Sequence, residues 1–271
     1  IEKRSQMLGH LAEGKYVMAV AGTHGKTTTS TLVAWLNRAL TGGGSAFLGG
    51  ISKNFGGNLV LDGCGVQGMR LTAVCDVEPA RLAACRERFP GVRCYEDYRA
   101  LLSGGEADAV IVAVPHPLHA RIAADALRAG FHALVEKPID ISLSRAQDLC
   151  AAARESGRVF AVMLNQRTNP LFQRCRQIVR GGELGELKRS VWIITNWYRT
   201  QHYYDSGSWR ATWAGEGGGV LLNQAPHNLD LWQWICGMPV SVTAFCDTAR
   251  YHRIEVEDEA TLFTRYENGA T

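Results

Sequence analysis

Short apolar runs recur along the first two thirds of the chain, and most are followed by a stretch with helical spacing. The runs at 16–21, 71–75, 109–114, 132–135 and 159–164 read as buried strands. Residues 27–40, 79–89 and 119–128 read as helices, the second with Pro79 in its first turn and the third stopped by Gly130. Ser144-Arg-Ala-Gln147 is a capping-box pattern and predicts a helix ending near Gly157. Asn169 followed by Pro170 predicts another, running to about Arg180. Strand alternating with helix predicts an α/β architecture on a parallel sheet.

The pattern changes after about Gly181. Segments 187–199, 240–245 and 259–266 are rich in β-branched and aromatic residues and read as strands without intervening helices. They predict a mainly antiparallel sheet in a second, α+β domain. Asn268-Gly269 follows the last of them and is a strong two-residue hairpin signal. A returning strand is therefore expected beyond Thr271, which makes the α+β domain incomplete and leaves an open sheet edge. The expected organisation is 1–62, 63–164 and 165–271.

Composition narrows the class. The 271 residues suggest about two domains at ~150 residues each. Apolar residues are 46% and charged residues 20%, ordinary for a soluble globular protein and unlike disordered or collagenous chains. No apolar run reaches ~18 residues, so no membrane span or membrane partner is expected. Ile1-Glu-Lys-Arg-Ser5 has no apolar core and no Met, which predicts a chain without a signal peptide that begins mid-protein. A net charge of +3 without a dense basic stretch gives no reason to expect nucleic acid. The eight cysteines form no C-x-x-C pair, which predicts reduced thiols in a cytoplasmic protein and no metal site of their own.

The first candidate chemistry lies at Gly22, Thr23, His24, Gly25, Lys26, Thr27 and Thr28, between a predicted strand and a predicted helix. Backbone N–H groups at such a helix start face an anion, and glycine lets the chain approach it. Lys26 would reach the terminal phosphates and Thr27 would hold Mg²⁺ if ATP binds. The strict phosphate-loop pattern wants Gly where Val20 stands. Residues 19–29 resemble the ATP loop of the Mur ligase family, on the side of its UDP-N-acetylmuramate–L-alanine ligases, and 4–8 and 48–56 fit the same family. The resemblance covers about residues 1–62 and implies Mg-ATP binding. The rest of that family's machinery has no counterpart here, so ligation is not implied.

The second candidate is Gly63-Cys-Gly65-Val-Gln-Gly68, a G-x-G-x-x-G match. Asp76 at the end of the 71–75 strand would bind ribose hydroxyls. Only seven residues separate Gly68 from Asp76, too few for the helical crossover such a unit needs. From Leu71 onward the chain resembles the glucose–fructose oxidoreductase/inositol dehydrogenase (Gfo/Idh/MocA) family. The matching segments are 73–79, the 112–119 strand and loop, the Glu136-Lys137-Pro138 signature, and 217–230. The resemblance implies a Rossmann-like domain lacking its first helix and an NAD cofactor held by Asp76, Pro115, His116, Glu136, Lys137 and Pro138. NADP is disfavoured because Asp76 would repel a 2′-phosphate and Val77-Glu78-Pro79 supplies no cation. The fold expected overall is a P-loop strand–helix unit, then the Rossmann-like parallel sheet, then the incomplete α+β domain.

Oxidising an alcohol with a nicotinamide needs a proton acceptor and a donor or cation at the developing alkoxide. Lys137, placed between a buried strand and Pro138, suits the second role, and His227 the first. Asn223, His227 and Asp230 share one face if the segment is helical throughout. If the helix instead starts at Pro226, Asn223 falls in the preceding turn. Where polyol dehydrogenases of the family carry Asp, Asn223 can orient substrate but cannot titrate. His116 and His119 flank Pro117 in a loop near the cofactor, or else cap a helix or face solvent. Trp192, Trp197, Tyr198, Tyr203, Tyr204, Trp209 and Trp213 are expected mostly in sheet and core, with one or two lining a sugar pocket. The reading is an NAD-dependent oxidoreductase acting on a sugar, a cyclitol or a related polyhydroxy substrate, with self-association through the C-terminal sheet. The alternatives are an ATP-binding Mur-ligase fragment and an inactive composite of the two.

Overall fold

The computed structural model describes residues 46–52, 57–60, 71–195 and 198–271. The predicted 16–21 strand and 27–40 helix, the Gly22–Thr28 loop, the glycines at 63, 65 and 68, and Trp197 lie outside these residues. The chain divides into two compact units, 1–108 and 109–271.

In the first unit, β1 (Ala46–Ser52) and β2 (Gly57–Val60) form an antiparallel pair with Ala46 opposite Val60. Then β3 (Ala73–Cys75), α1 (Pro79–Arg88) and β4 (Arg93–Tyr95) make a β-α-β unit, the two strands parallel with Val74 opposite Cys94. Pro79 occupies the first helical turn, and Leu82 is the buried anchor of α1. A short helix, α2 (Tyr98–Ser103), follows, its N-cap Asp97 accepting from Arg99 N–H at 3.0 Å.

In the second unit, β5 (Ala109–Val112), β6 (His132–Val135) and β7 (Phe160–Val162) lie side by side in that order, all parallel. The crossovers are α3 (His119–Arg128) and α4 (Leu143–Ser156). Ala120, Ala123, Ala124 and Leu127 fall at helical spacing on α3 and pack with Val112, Val135, Leu149 and Ala152. Small residues there let the helix lie close to the sheet and to α4. Both helices stop as predicted, with Gly130 at φ 91° and Gly157 at φ 64°.

The start of α4 differs from the capping-box expectation. The helix begins at Leu143, and Ser142, at the N-cap, makes no side-chain cap bond. The buried carboxylate of Asp140 takes over. Its Oδ1 accepts from Ser142 N–H and Arg145, both at 2.9 Å, and its Oδ2 from Ala120 N–H at 3.3 Å. One carboxylate thus serves the first turns of α3 and α4, where positive helix ends favour it.

Beyond β7, Asn169 caps α5 (Pro170–Arg180) by accepting from Leu171 N–H at 3.0 Å, as predicted. α6 (Gln201–Asp205), a π-helical turn at Val220–Gln224 and α7 (Pro226–Cys236) lead to the antiparallel pair β8 (Ser241–Thr248) and β9 (Glu257–Arg265). The strand expected at 187–199 is irregular through 195. The backbones of Lys188 and Ser190 bond to Thr271, and Val191 and Ile193 are exposed. β-propensity alone cannot make a strand without a neighbour along its length. The Asn268-Gly269 turn forms, with Gly269 at φ 79°, and it directs Thr271 onto Lys188 and Ser190.

Candidate active site

The candidate groups of the second unit follow β5 (Pro115, His116) and β6 (Glu136, Lys137, Pro138) or lie at Asn223 and His227. Glu136 N–H still pairs with Val112 across the sheet at 2.9 Å, so Lys137 emerges at the C-terminal edge, where open α/β sheets bind ligands. The Lys137 Nζ donates to the Asn223 backbone carbonyl at 2.8 Å and to Asn223 Oδ1 at 3.2 Å. Among the described residues, Asn223 takes two of its three N–H groups. Burial pushes the Lys137 ammonium below its usual range; Glu136 and Glu216 oppose this, and Arg199 adds to it.

The helix begins at Pro226, so Asn223 sits in the preceding π-helical turn while His227 and Asp230 lie on α7. That turn is anchored from β9, because the buried Glu257 accepts from Gly219 N–H at 2.9 Å and Leu221 N–H at 3.1 Å. The backbones approach so closely that a Cβ on Gly219 would lie 1.8 Å from the Glu257 carbonyl oxygen. Burial, helped by the Lys137 charge, lowers the His227 pKa, and Asp230 opposes both. The imidazole is therefore neutral at pH 7 and able to take a proton. Its Nδ1 is buried and unpartnered among the described residues. Asp230 is committed elsewhere: Arg167 donates to it from both Nε, at 2.8 Å, and Nη2, at 2.5 Å.

Neither histidine after β5 caps a helix by its side chain or faces solvent. His119 is 1% exposed, with ring nitrogens 2.6 Å from the Pro138 carbonyl and 2.8 Å from that of Val114. It ties the loop after β5 to the one after β6. His116, also buried, turns Nδ1 toward the Glu216 carbonyl at 3.5 Å and packs edge-on to Trp209, ring centres 5.6 Å apart. Burial first, then the charge of His119, hold its pKa at about 4. The aromatic expectation fails in part. Tyr204 is buried, but Tyr198 and Trp213 are exposed, and Trp209 is half-exposed beside Arg210.

Glu216 is the residue that sequence reasoning missed. It is 1% exposed, accepts from Ala211 N–H at 2.7 Å, and receives a short hydrogen bond from Asn223 Nδ2. It stands just before Gly217-Gly218-Gly219, a setting too common to single it out.

In the first unit, Asp76 follows β3 as expected. Its Oδ1 accepts from Glu78 N–H at 2.9 Å, and its Oδ2 pairs with Arg81 at 3.3 Å. This cation, in the first turn of α1, lies just past the Val77-Glu78-Pro79 stretch that supplies none. No described residues form a group of three or more metal-ligating side chains, and no described helix is long and apolar enough to cross a membrane. The described cysteines are unbridged thiols.

A buried lysine thus leaves the C-terminal edge of a parallel sheet, and a neutral histidine on α7 feels its charge. Residues 44–164 match the oxidoreductase family with an NAD-binding Rossmann fold, and 172–271 match the GFO/IDH/MocA C-terminal domain. The chain belongs to this family of oxidoreductases. WlbA dehydrogenase from Bordetella pertussis, solved with NADH and UDP-GlcNAcA, is 31% identical with a TM-score of 0.67, covering 75% of this chain and 62% of that one. D-glucoside 3-dehydrogenase from Escherichia coli (strain K12) is 29% identical over 178 residues, 65% of this chain and 49% of that protein. A separate 61-residue stretch, 22% of this chain, is 59% identical to UDP-N-acetylmuramate–L-alanine ligase of Phocaeicola vulgatus and covers 13% of that protein. The chain spans about half the length of the curated oxidoreductases it matches.

Proposed function

We propose that the chain carries the redox centre of an NAD-dependent oxidoreductase acting on a CH–OH group of a sugar-like substrate. The observation that carries this reading is the juxtaposition at the edge of β6: a buried ammonium with one spare donor, held by Asn223, within electrostatic reach of a neutral His227. The unpartnered His227 Nδ1 and the spare Lys137 donor fit the reacting end of a nicotinamide-and-alcohol pair. A bound nicotinamide supplies the hydride acceptor. Lys137 then holds the substrate oxygen and stabilises it as it loses its proton to His227, and Asn223 keeps Lys137 in place. The loops at Pro115–His116 and Glu136–Pro138 border the cofactor; Asp76, in the other unit, is the ribose-binding acid that the family resemblance implies. The sugar-binding relatives support the substrate class.

The organisation that goes with this reading is 1–62, 63–164 and 165–271; family matches that part between 164 and 172 support its second boundary, while the NAD-binding match starts at 44, inside the first segment. The exposed Val242, Phe245, Leu262 and Phe263 of β8 and β9 support self-association through that sheet. A second reading applies to 1–62, where Gly22–Thr28 bind Mg-ATP with Thr27 on the metal; it is supported by the ligase-like stretch. Calorimetric titration of the full chain with NADH and with Mg-ATP separates the outcomes. NADH binding that Lys137→Met weakens supports the first reading, and Mg-ATP binding supports the second. Binding of neither overturns both in favour of an inactive composite.

A further inference from the structure

The residue that sets the reacting geometry stands one step behind it. We infer that Glu216 is a positioning residue for Lys137, acting through the side-chain amide of Asn223. The inference rests on the redox reading for its purpose but not for its geometry.

The amide of Asn223 has one acceptor and one donor end, and which faces Lys137 decides whether the contact attracts or repels. Here Oδ1 faces the Lys137 ammonium at 3.2 Å. Nδ2 faces Glu216 Oε1. A carboxylate oxygen can only accept, so Glu216 forces Nδ2 toward itself and Oδ1 toward Lys137. Its other oxygen is occupied by Ala211 N–H at 2.7 Å. Two donors on two oxygens are what an ionised carboxylate satisfies; a protonated acid or a glutamine leaves one of them opposed.

The carboxylate is itself rigidly held. Ala211 sits at φ 51°, a left-handed conformation that a non-glycine residue rarely adopts, and its N–H points at Glu216. Glu216 N–H in turn donates to Thr212 O at 2.9 Å, closing the 211–216 loop on itself. On the far side the Glu216 carbonyl faces His116 Nδ1. The segment therefore joins the loop after β5 to the lysine after β6.

The charges agree with this arrangement. Asn223 is neutral, yet the ammonium beside it is buried and needs a counter-charge. Glu136 is the larger opposite charge on it and Glu216, through the amide, the second; Arg199 acts against both, and His227 and His116 in turn feel the Lys137 charge. A centre without an aspartate at position 223 thus keeps a carboxylate in its circuit.

The test reads Lys137 directly. The chain has six lysines, so ¹⁵N-lysine labelling gives a spectrum in which the Lys137 signal is identified by its loss in Lys137→Arg. In Glu216→Gln the midpoint at which Lys137 loses its proton should move down while that of the exposed Lys188 stays; Glu216→Asp should restore part of the difference. A folded Glu216→Gln with an unmoved Lys137 midpoint overturns the inference. If Glu216→Gln fails to fold, the unmodified chain decides. Its Asn223 side-chain N–H signals should shift as Glu216 takes up a proton, at a pH above the ordinary carboxylate range because burial raises that pKa. Asn223 signals flat down to acid unfolding overturn the inference as well. NADH binding measured alongside keeps the two readings apart. A moved Lys137 midpoint without NADH binding removes the redox reading and leaves the positioning role standing. With turnover present, Glu216→Gln should lower kcat about tenfold or more, the effect of one charge-assisted hydrogen bond, with NADH affinity unchanged.

Discussion

Acid should weaken the packing of His116 against the 209–216 segment at a pH where most carboxylates are still charged. His116 is 8% exposed, and its pKa is lowered from 6.5 to about 4, first by burial, then by the charges of His119, Lys137 and Arg210 against the opposing Glu216 carbonyl. Unfolding exposes the ring, which then takes up a proton below pH 6.5 that the folded chain refuses until about pH 4. A lowered pKa in the folded state means stability that is fully present above 6.5 and lost as pH falls towards 4. The slope for one proton is about 1.4 kcal/mol per pH unit. Over the whole window this is about 3 kcal/mol at most, a sizeable share of the ~5–15 kcal/mol that holds an ordinary domain together. The assay is a urea-unfolding series at several pH values between 7 and 4.5, run on the unmodified chain and on His116→Gln. Glutamine can still donate to the Glu216 carbonyl but does not titrate. The unmodified chain should lose stability with acid more steeply than the variant, while His227 and the carboxylates affect both alike. Parallel curves would show that His116 is not a buried neutral imidazole, and the reasoning would fail.

Two other perturbations address the scaffold and the cofactor. Gly219→Ala should cost about 1–3 kcal/mol, the range for forced overpacking, because its Cβ would meet the Glu257 backbone at 1.8 Å; an unchanged thermal midpoint would contradict this close approach. Asp76→Ser should shift preference from NAD toward NADP by about tenfold, since it removes one repelling charge and frees Arg81 for a 2′-phosphate; an unchanged ratio of dissociation constants would place the ribose elsewhere.

The fold was legible wherever one segment carried both its period and its stop signal. The 119–128 helix, with its alanine stripe and Gly130, is an example, and so is the Asn169–Pro170 start of α5. The β8–β9 pair was legible too, as two runs rich in β-branched and aromatic residues. What escaped was decided by partners distant in sequence. β4 and α2 are too short for a period to show. The irregular 187–195 segment has ample β-propensity, but among the described residues only Thr271 pairs with its backbone as a neighbouring strand would. Ser144 matched a capping box, yet Asp140, already buried between two helices, was the better anion for the helix start.

The same division runs through the site. Lys137, Asn223 and His227 could be picked from the sequence because each falls in a recognisable motif, and the structure brings Lys137 and Asn223 into direct contact 86 residues apart. Glu216 and Arg81 could not, because nothing local distinguishes a glutamate before glycines, or an arginine on a surface helix, from many others. Their meaning comes from the neighbour. Glu216 matters because Asn223 cannot itself carry charge, and Arg81 because Asp76 lies one turn away. A departure at one motif position, Asn223 in place of an acid, is therefore a reason to search the next layer of side chains for the missing charge. Here that layer holds a fully buried carboxylate pointing at the substituted residue.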